Sequence, residues 1–150
     1  MAKLKKFELF TDGACLGNPG AGGWAYILRD GDDEIISSGG EANTTNQRME
    51  VMAVLQALGS IDDPAEIEIW ADSQYVTKGL TEWMDGWILK NWKNAAKKPV
   101  ANQDLWQPLA ELREKHRITT HWVKGHAGHP ENERCDTIAS EEALRIKNAT

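Results

Sequence analysis

Apolar and polar residues alternate at the start of the chain. Phe7 to Thr11 reads Phe, Glu, Leu, Phe, Thr, a period of two that predicts a half-buried strand. Gly22 to Arg29 and Glu34 to Gly40 predict two more strands, and the charged Asp30–Gly31–Asp32–Asp33 between them predicts a hairpin turn. The stretch from Asp12 to Gly23 holds five glycines and a proline and is read as a turn, not an element. The period then changes. Val51, Val54, Leu55 and Leu58 recur at helical spacing, with Thr44 or Thr45 as the cap and Gly59 as the end. Ile67, Ile69 and Ala71 alternate with Glu68, Trp70 and Asp72, a fourth strand. A short helix is expected from Ser73 to Leu80, stopped near Gly79, followed over residues 83 to 101 by a short helix and a protruding loop. Asp104 to Lys115 carries Leu105, Leu109 and Leu112 on one helical face. Ile118 to Val123 alternates as a fifth strand, and Glu131 to Asn148 is the last helix.

A meander of strands followed by strand–helix alternation predicts an α/β domain, a mixed five-stranded sheet flanked by helices. A length of 150 residues suits one such domain. The composition, 41% hydrophobic and 27% charged, excludes a disordered chain. The longest unbroken apolar runs, Trp24 to Leu28 and Val51 to Leu55, have five residues, against the roughly 20 that a membrane-spanning helix needs. No long apolar segment follows the lysines of MAKLKKFELF, so no secretory signal is expected and the expected location is cytoplasmic. Two cysteines without a C-x-x-C pair exclude a disulfide scaffold and a zinc ribbon. The net charge of −6, taken whole, argues against a nucleic-acid partner, but the charge is unevenly distributed.

Four acidic residues lie next to apolar elements. Asp12 stands where the first strand meets the glycine-rich stretch, and Asp72 where the fourth strand meets a helix; ligands of open α/β sheets collect at such carboxyl ends. If these strands are parallel neighbours, the two carboxylates converge. The plain alternatives are a turn-forming Asp-Gly for Asp12 and a helix cap for Asp72. Glu50 borders the Val54 stripe of the most apolar helix, where a solvated rim residue is the ordinary reading. Asp136 shares a helix line with Asn132, Ala139 and Ala143, small enough to allow close approach to the sheet; a surface Asp is the default there. Four carboxylates can meet only if their repulsion is compensated. Mg²⁺ suits carboxylates and phosphate oxygens together, and two such ions roughly 3.5–4 Å apart promote phosphodiester cleavage. The spacing permits this chemistry without establishing it.

WVKGHAGHPENERCD places His126 and His129 in a glycine-rich loop. His126 can shuttle a proton near neutral pH, and His129 can be merely structural. The rival is a zinc site of His126, His129 and Cys135, which lacks an obvious fourth ligand. From Gly86 to Ala101 there are four lysines, Lys90, Lys93, Lys97 and Lys98, and no acidic residue; Trp83, Trp87, Trp92 and Trp106 lie in or beside this segment. Lysines interleaved with flat rings suit a nucleic-acid groove. The competing expectation is a small satellite core of tryptophans beneath solvated lysines, with Trp83 the ring that faces substrate.

TDGACLGNPG (Thr11 to Gly20), TTNQRMEVMA (Thr44 to Ala53), ADSQYV (Ala71 to Val76), the Lys/Trp segment through KKPVANQDLW (Lys97 to Trp106) and WVKGHAGHPENERCD (Trp122 to Asp136) together resemble the bacterial type 1 ribonuclease H family, ribonuclease HI. Five motifs in order over nearly the whole chain make the resemblance specific. It implies a ribonuclease H-like fold, with an antiparallel three-strand meander and two parallel strands, in one catalytic domain over residues 1–150. It implies hydrolysis of the RNA strand of RNA·DNA hybrids, leaving 5′-phosphate and 3′-hydroxyl ends. It further implies Asp12, Glu50, Asp72 and Asp136 as carboxylates for one or two Mg²⁺ ions, with Mn²⁺ as a substitute, and His126 as the proton carrier. Asn18, Asn46, Gln74 and the backbone around Cys15 would contact RNA near its 2′-hydroxyls, which distinguish RNA from DNA. Thr45, Arg48, Trp83 and Asn102 would hold the DNA strand, partly in a phosphate pocket, and the lysines of the protrusion would grip the hybrid. Ala14 and Ala21 replace a Ser and a Pro often seen there. The chain is expected to be a monomer and a minimal catalytic unit, without an extra N-terminal hybrid-binding domain. A non-catalytic hybrid-binding module is the alternative, and the presence of all four carboxylates counts against it.

Overall fold

The computed structural model describes residues 4–124 and 129–149. Strands β1 (Lys5–Leu16), β2 (Gly20–Asp30), β3 (Asp33–Thr44), β4 (Ala65–Ala71) and β5 (Arg117–Trp122) form one sheet in the order β3-β2-β1-β4-β5. β1, β2 and β3 pair antiparallel, whereas β4 runs parallel to both β1 and β5. This is the expected mixed sheet. The helices are α1 (Asn46–Gly59), α2 (Gln74–Lys78), α3 (Met84–Leu89), α4 (Gln103–Lys115) and α5 (Pro130–Ala149).

Strand alternation sorts the core onto two faces. Leu9, Tyr26, Leu28, Ile67 and Ile69 meet Val51, Val54 and Leu58 of α1 and Leu105, Trp106 and Leu109 of α4 in the larger core. Phe10, Ala25 and Ile27 meet Cys135 and Ala139 of α5 in a smaller one. The small residues on one line of α5 allow that approach. A Cβ on Gly23 of β2 would lie 2.3 Å from the Ala139 carbonyl oxygen and 2.8 Å from the Ala143 amide nitrogen, so helix and sheet touch backbone to backbone.

Two sequence expectations are corrected. Residues 12 to 23 are not one long turn: β1 continues to Leu16 and β2 begins at Gly20, leaving only residues 17–19 to reverse the chain. Gly13 and Gly23 lie inside these strands because α1 and α5 occupy the space a side chain would fill. The helix from Ser73 does not stop near Gly79; α2 passes through a π-helical turn (Gly79–Trp83) directly into α3. Gly79 is there for packing, since a Cβ would lie 2.2 Å from the Trp106 ring. Gly59 ends α1 as expected, with Ser60 behind it as the cap. The Gly31 turn joining β2 to β3 is as expected, with Gly31 at φ +61°.

Gly23→Ala drives a methyl group into helix backbone that cannot swing aside. The expected loss of stability is about 1–3 kcal/mol, the usual range for overpacking. Urea unfolding should show a lower midpoint at an unchanged slope; an unchanged midpoint would mean that α5 is free to shift.

Candidate active site

The register of β1 against β4 pairs Thr11 with Ala71, so the next residue on each strand is Asp12 and Asp72. Parallel pairing thus brings the two carboxylates together at the carboxyl ends of adjacent strands. Neither plain alternative holds: Asp12 lies within β1 opposite Ala25, and the cap of α2 is Ser73, whose hydroxyl accepts from the Val76 N–H. Glu50 arrives from α1. Its helix is started by Thr45, whose hydroxyl accepts from the Arg48 N–H at 3.2 Å. Far from being a solvated rim residue, Glu50 is only 9% exposed, and Asp12 only 2%.

Gly13 lets α1 reach β1. A Cβ there would lie 2.5 Å from the Glu50 nitrogen and 2.6 Å from the Met49 carbonyl carbon. Its N–H donates to Asp12 Oδ1 at 2.8 Å. One oxygen from each of Asp12, Glu50 and Asp72 falls within 4.8 Å of the others. Burial, and then the charges of Asp12 and Asp72, push the Glu50 carboxyl well above its ordinary 4.5, with only the Gly13 N–H opposing. Glu50 Oε2 is buried and accepts no hydrogen bond. Three crowded hard oxygen donors, one of them lacking a hydrogen-bond donor, fit a divalent cation such as Mg²⁺.

Asp136 is exposed on α5 and lies outside this group of three. Its helix nevertheless packs against β1, with Cys135 against Phe10 two residues before Asp12. His126 lies outside the described residues. His129 lies tilted against Trp70 with ring centroids 5.2 Å apart. Burial pushes the Cys135 thiol up to about 12, and its Sγ donates to the Phe10 carbonyl, so it is held as a protonated core thiol.

The remaining predicted residues lie on β1 and the turn after it, at the start of α1, on α2, and along the segment from Trp83 to α4. Cys15 is half-buried, and its Sγ donates to the Thr44 carbonyl at 3.3 Å. Asn18, in the turn after β1, accepts from the Asn46 N–H at 3.1 Å and ties that turn to the start of α1. Gln74 is exposed at the start of α2. Trp83, 38% exposed, stands between Tyr75 and Trp87, while Trp106 is fully buried. The satellite tryptophan cluster is therefore present and is continuous with the larger core. Lys90, Lys93, Lys97 and Lys98 are exposed on the segment after α3, where Asn94 Oδ1 accepts from the Ala96 and Lys98 N–H groups. Asn102 begins α4 at φ +60° and donates to Tyr75 Oη at 3.2 Å. Three residues of this neighbourhood were missed in the sequence. Tyr75 accepts from both Asn102 and Trp106. Glu41 and Asp104 each accept from Arg48. Tyr75 sits in a recognisable motif; Glu41 and Asp104 carry no signal beyond their charge.

A family model described as RNase H matches residues 4–144. The ribonuclease H of Erythrobacter litoralis is 54% identical over 140 residues, covering 93% of this chain and 97% of that relative. The ribonuclease HI of Brucella suis biovar 1 is 54% identical over 136 residues, covering 91% and 88%. Among solved structures, LC9-RNase H1, described as a type 1 RNase H with the type 2 active-site motif, superposes with a TM-score of 0.85 at 27% identity, covering 97% of this chain and 75% of that one. LC11-RNase H1 in complex with an RNA/DNA hybrid shares the fold, with a TM-score of 0.68 at 21% identity over 93% of this chain and 97% of that one. With the matched model spanning nearly the whole chain and relatives more than half identical, the chain belongs to the ribonuclease H family.

Proposed function

We propose that the protein is an endoribonuclease that hydrolyses the RNA strand of RNA·DNA hybrids, leaving 5′-phosphate and 3′-hydroxyl ends. The observation that carries this reading is the buried triad Asp12, Glu50 and Asp72 at the carboxyl ends of β1 and β4, in a chain of the ribonuclease H family. Support comes from the hybrid bound by LC11-RNase H1, which shares the fold. Residues 1–150 act as one catalytic domain, working as a monomer in the cytoplasm. Among the described residues no helix is long and apolar enough to cross a membrane.

Asp12, Glu50 and Asp72, with Asp136 as a fourth carboxylate from α5, hold Mg²⁺ as one or two ions; Mn²⁺ can substitute. Bound there, the ions supply charge neutralisation for the scissile phosphate and make water a competent nucleophile at neutral pH. The Gly13 N–H holds Asp12 Oδ1, which helps to orient that carboxyl towards the site. His126 carries a proton away from or towards the reacting oxygens. Asn18, Asn46, Gln74 and the backbone at Cys15 take the RNA strand. Thr45, Arg48, Trp83 and Asn102 take the DNA strand, and the lysine segment holds the duplex beyond.

Asp12→Asn keeps the shape of the side chain and removes a charge. Hybrid cleavage in Mg²⁺ should fall by orders of magnitude while hybrid binding persists; near-normal turnover would remove Asp12 from the site. The same variant should melt at a higher temperature than the parent in EDTA. The raised Glu50 carboxyl withdraws stability as pH climbs from its ordinary 4.5 through its folded value, and Asp12→Asn eases that repulsion.

Replacing Lys90, Lys93, Lys97 and Lys98 together with Ala should weaken hybrid binding and flatten its salt dependence. Each lost phosphate contact removes about 0.9 from the slope of log affinity against log salt. An unchanged slope would make these lysines ordinary solvated surface.

His126→Ala should lower kcat by about 10²–10⁴-fold with little change in KM, as expected for a group used in the transition state. His129→Ala should lose much less. Equal losses at saturating hybrid, or a larger loss for His129, would overturn the assignment.

A further inference from the structure

Arg48, which the proposed function places against a phosphate of the DNA strand, is already holding anions. Its Nη1 and Nη2 donate to Asp104 Oδ1 and Oδ2 at 3.0 and 2.7 Å, a two-pronged grip on a carboxylate. Its Nε donates to Glu41 Oε1 at 3.1 Å, and Nη1 also donates to Asn102 Oδ1 at 3.4 Å. These four bonds engage most of the five N–H groups that a guanidinium offers. A phosphate presents the same pair of acceptor oxygens to that fork as a carboxylate does. It cannot take the fork while Asp104 holds it.

We propose that the Asp104 carboxylate is an internal competitor for the DNA-strand phosphate at Arg48, occupying the guanidinium fork in the free protein and leaving it when hybrid binds. This inference rests on the reading of Arg48 as a phosphate contact. Asp104 is the partner suited to leave. Its side chain is 62% exposed, against 34% for Glu41, and it sits in the first turn of α4, where a short swing takes it into solvent. Its departure frees the Arg48 fork, beside Asn102, for an incoming anion. Glu41 and Asn102 stay behind to keep the Arg48 side chain in place. The competitor lowers affinity for the hybrid and keeps the fork ordered when no hybrid is present.

The test is a fluorescence-anisotropy titration of a labelled RNA·DNA hybrid in EDTA, which reads binding without cleavage. Asp104→Asn keeps the shape and removes the charge. Its Kd should fall about two- to fivefold, the span of an exposed ion pair, and the slope of log Kd against log salt should steepen. Asp104→Glu, which restores a carboxylate, should bring Kd back towards the parent value. In an Arg48→Ala background Asp104→Asn should have no effect, because the competition requires the fork; an equal gain there would reduce the effect to net charge and overturn the proposal. If Arg48→Ala weakens binding but Asp104→Asn weakens it too, or leaves it unchanged, then Asp104 only orients the guanidinium; the proposal fails and the reading of Arg48 stands. If Arg48→Ala changes neither Kd nor the salt slope, that reading fails and the proposal falls with it.

Discussion

Asp12, Glu50 and Asp72 repel one another across less than 5 Å with little water to screen them, and much of the fold can be understood as the framework that holds them there. A parallel β1–β4 pair sets two of them side by side by register alone. The third comes from a helix that reaches β1 only because residue 13 has no side chain. The Glu50 carboxyl, forced up by burial and by its neighbours, is the local sign of the strain. The larger core, packed between α1, α4 and the sheet, provides the stability against which that strain is set.

Around this centre the parts proposed to face substrate are built differently. The π-helical turn and α3 carry the lysine segment away from the sheet, while Trp87, Trp92 and Trp106 tie its base to the core. Gly79, seated directly against Trp106, sets how close that base can come. Tyr75 sits where these aromatic rings meet the polar groups about Arg48, since its hydroxyl accepts from both Asn102 and Trp106. Carboxylates serve two purposes in one small domain. In the triad their crowding favours a cation, and at Arg48 Asp104 and Glu41 satisfy one.

Much of the layout was legible in the sequence because hydrophobic period is a local property. The alternation at Phe7–Thr11 and Ile67–Asp72 and the helical spacing from Val51 to Leu58 were each sufficient to place an element. Glycine was where local reasoning went astray. Local reasoning reads Gly13 and Gly79 as breakers of structure, yet each lies inside an element and makes room for a neighbour distant in the chain. No local signal separates a glycine needed for a turn from one needed for contact.

The sequence by itself determined the order of strands and helices, the candidate carboxylates, the basic aromatic segment and, through five ordered motifs, the family. Those features depend on residue type and spacing within short windows. Tertiary structure decided which carboxylates share one volume, because that depends on strand register and on the approach of α1. It also decided the state of Cys135, whose thiol is set by burial beneath α5, and the engagement of Arg48 with Glu41 and Asp104, seven and fifty-six positions away. Long-range pairing of charges leaves no periodic trace along a chain, so only the folded arrangement could reveal it.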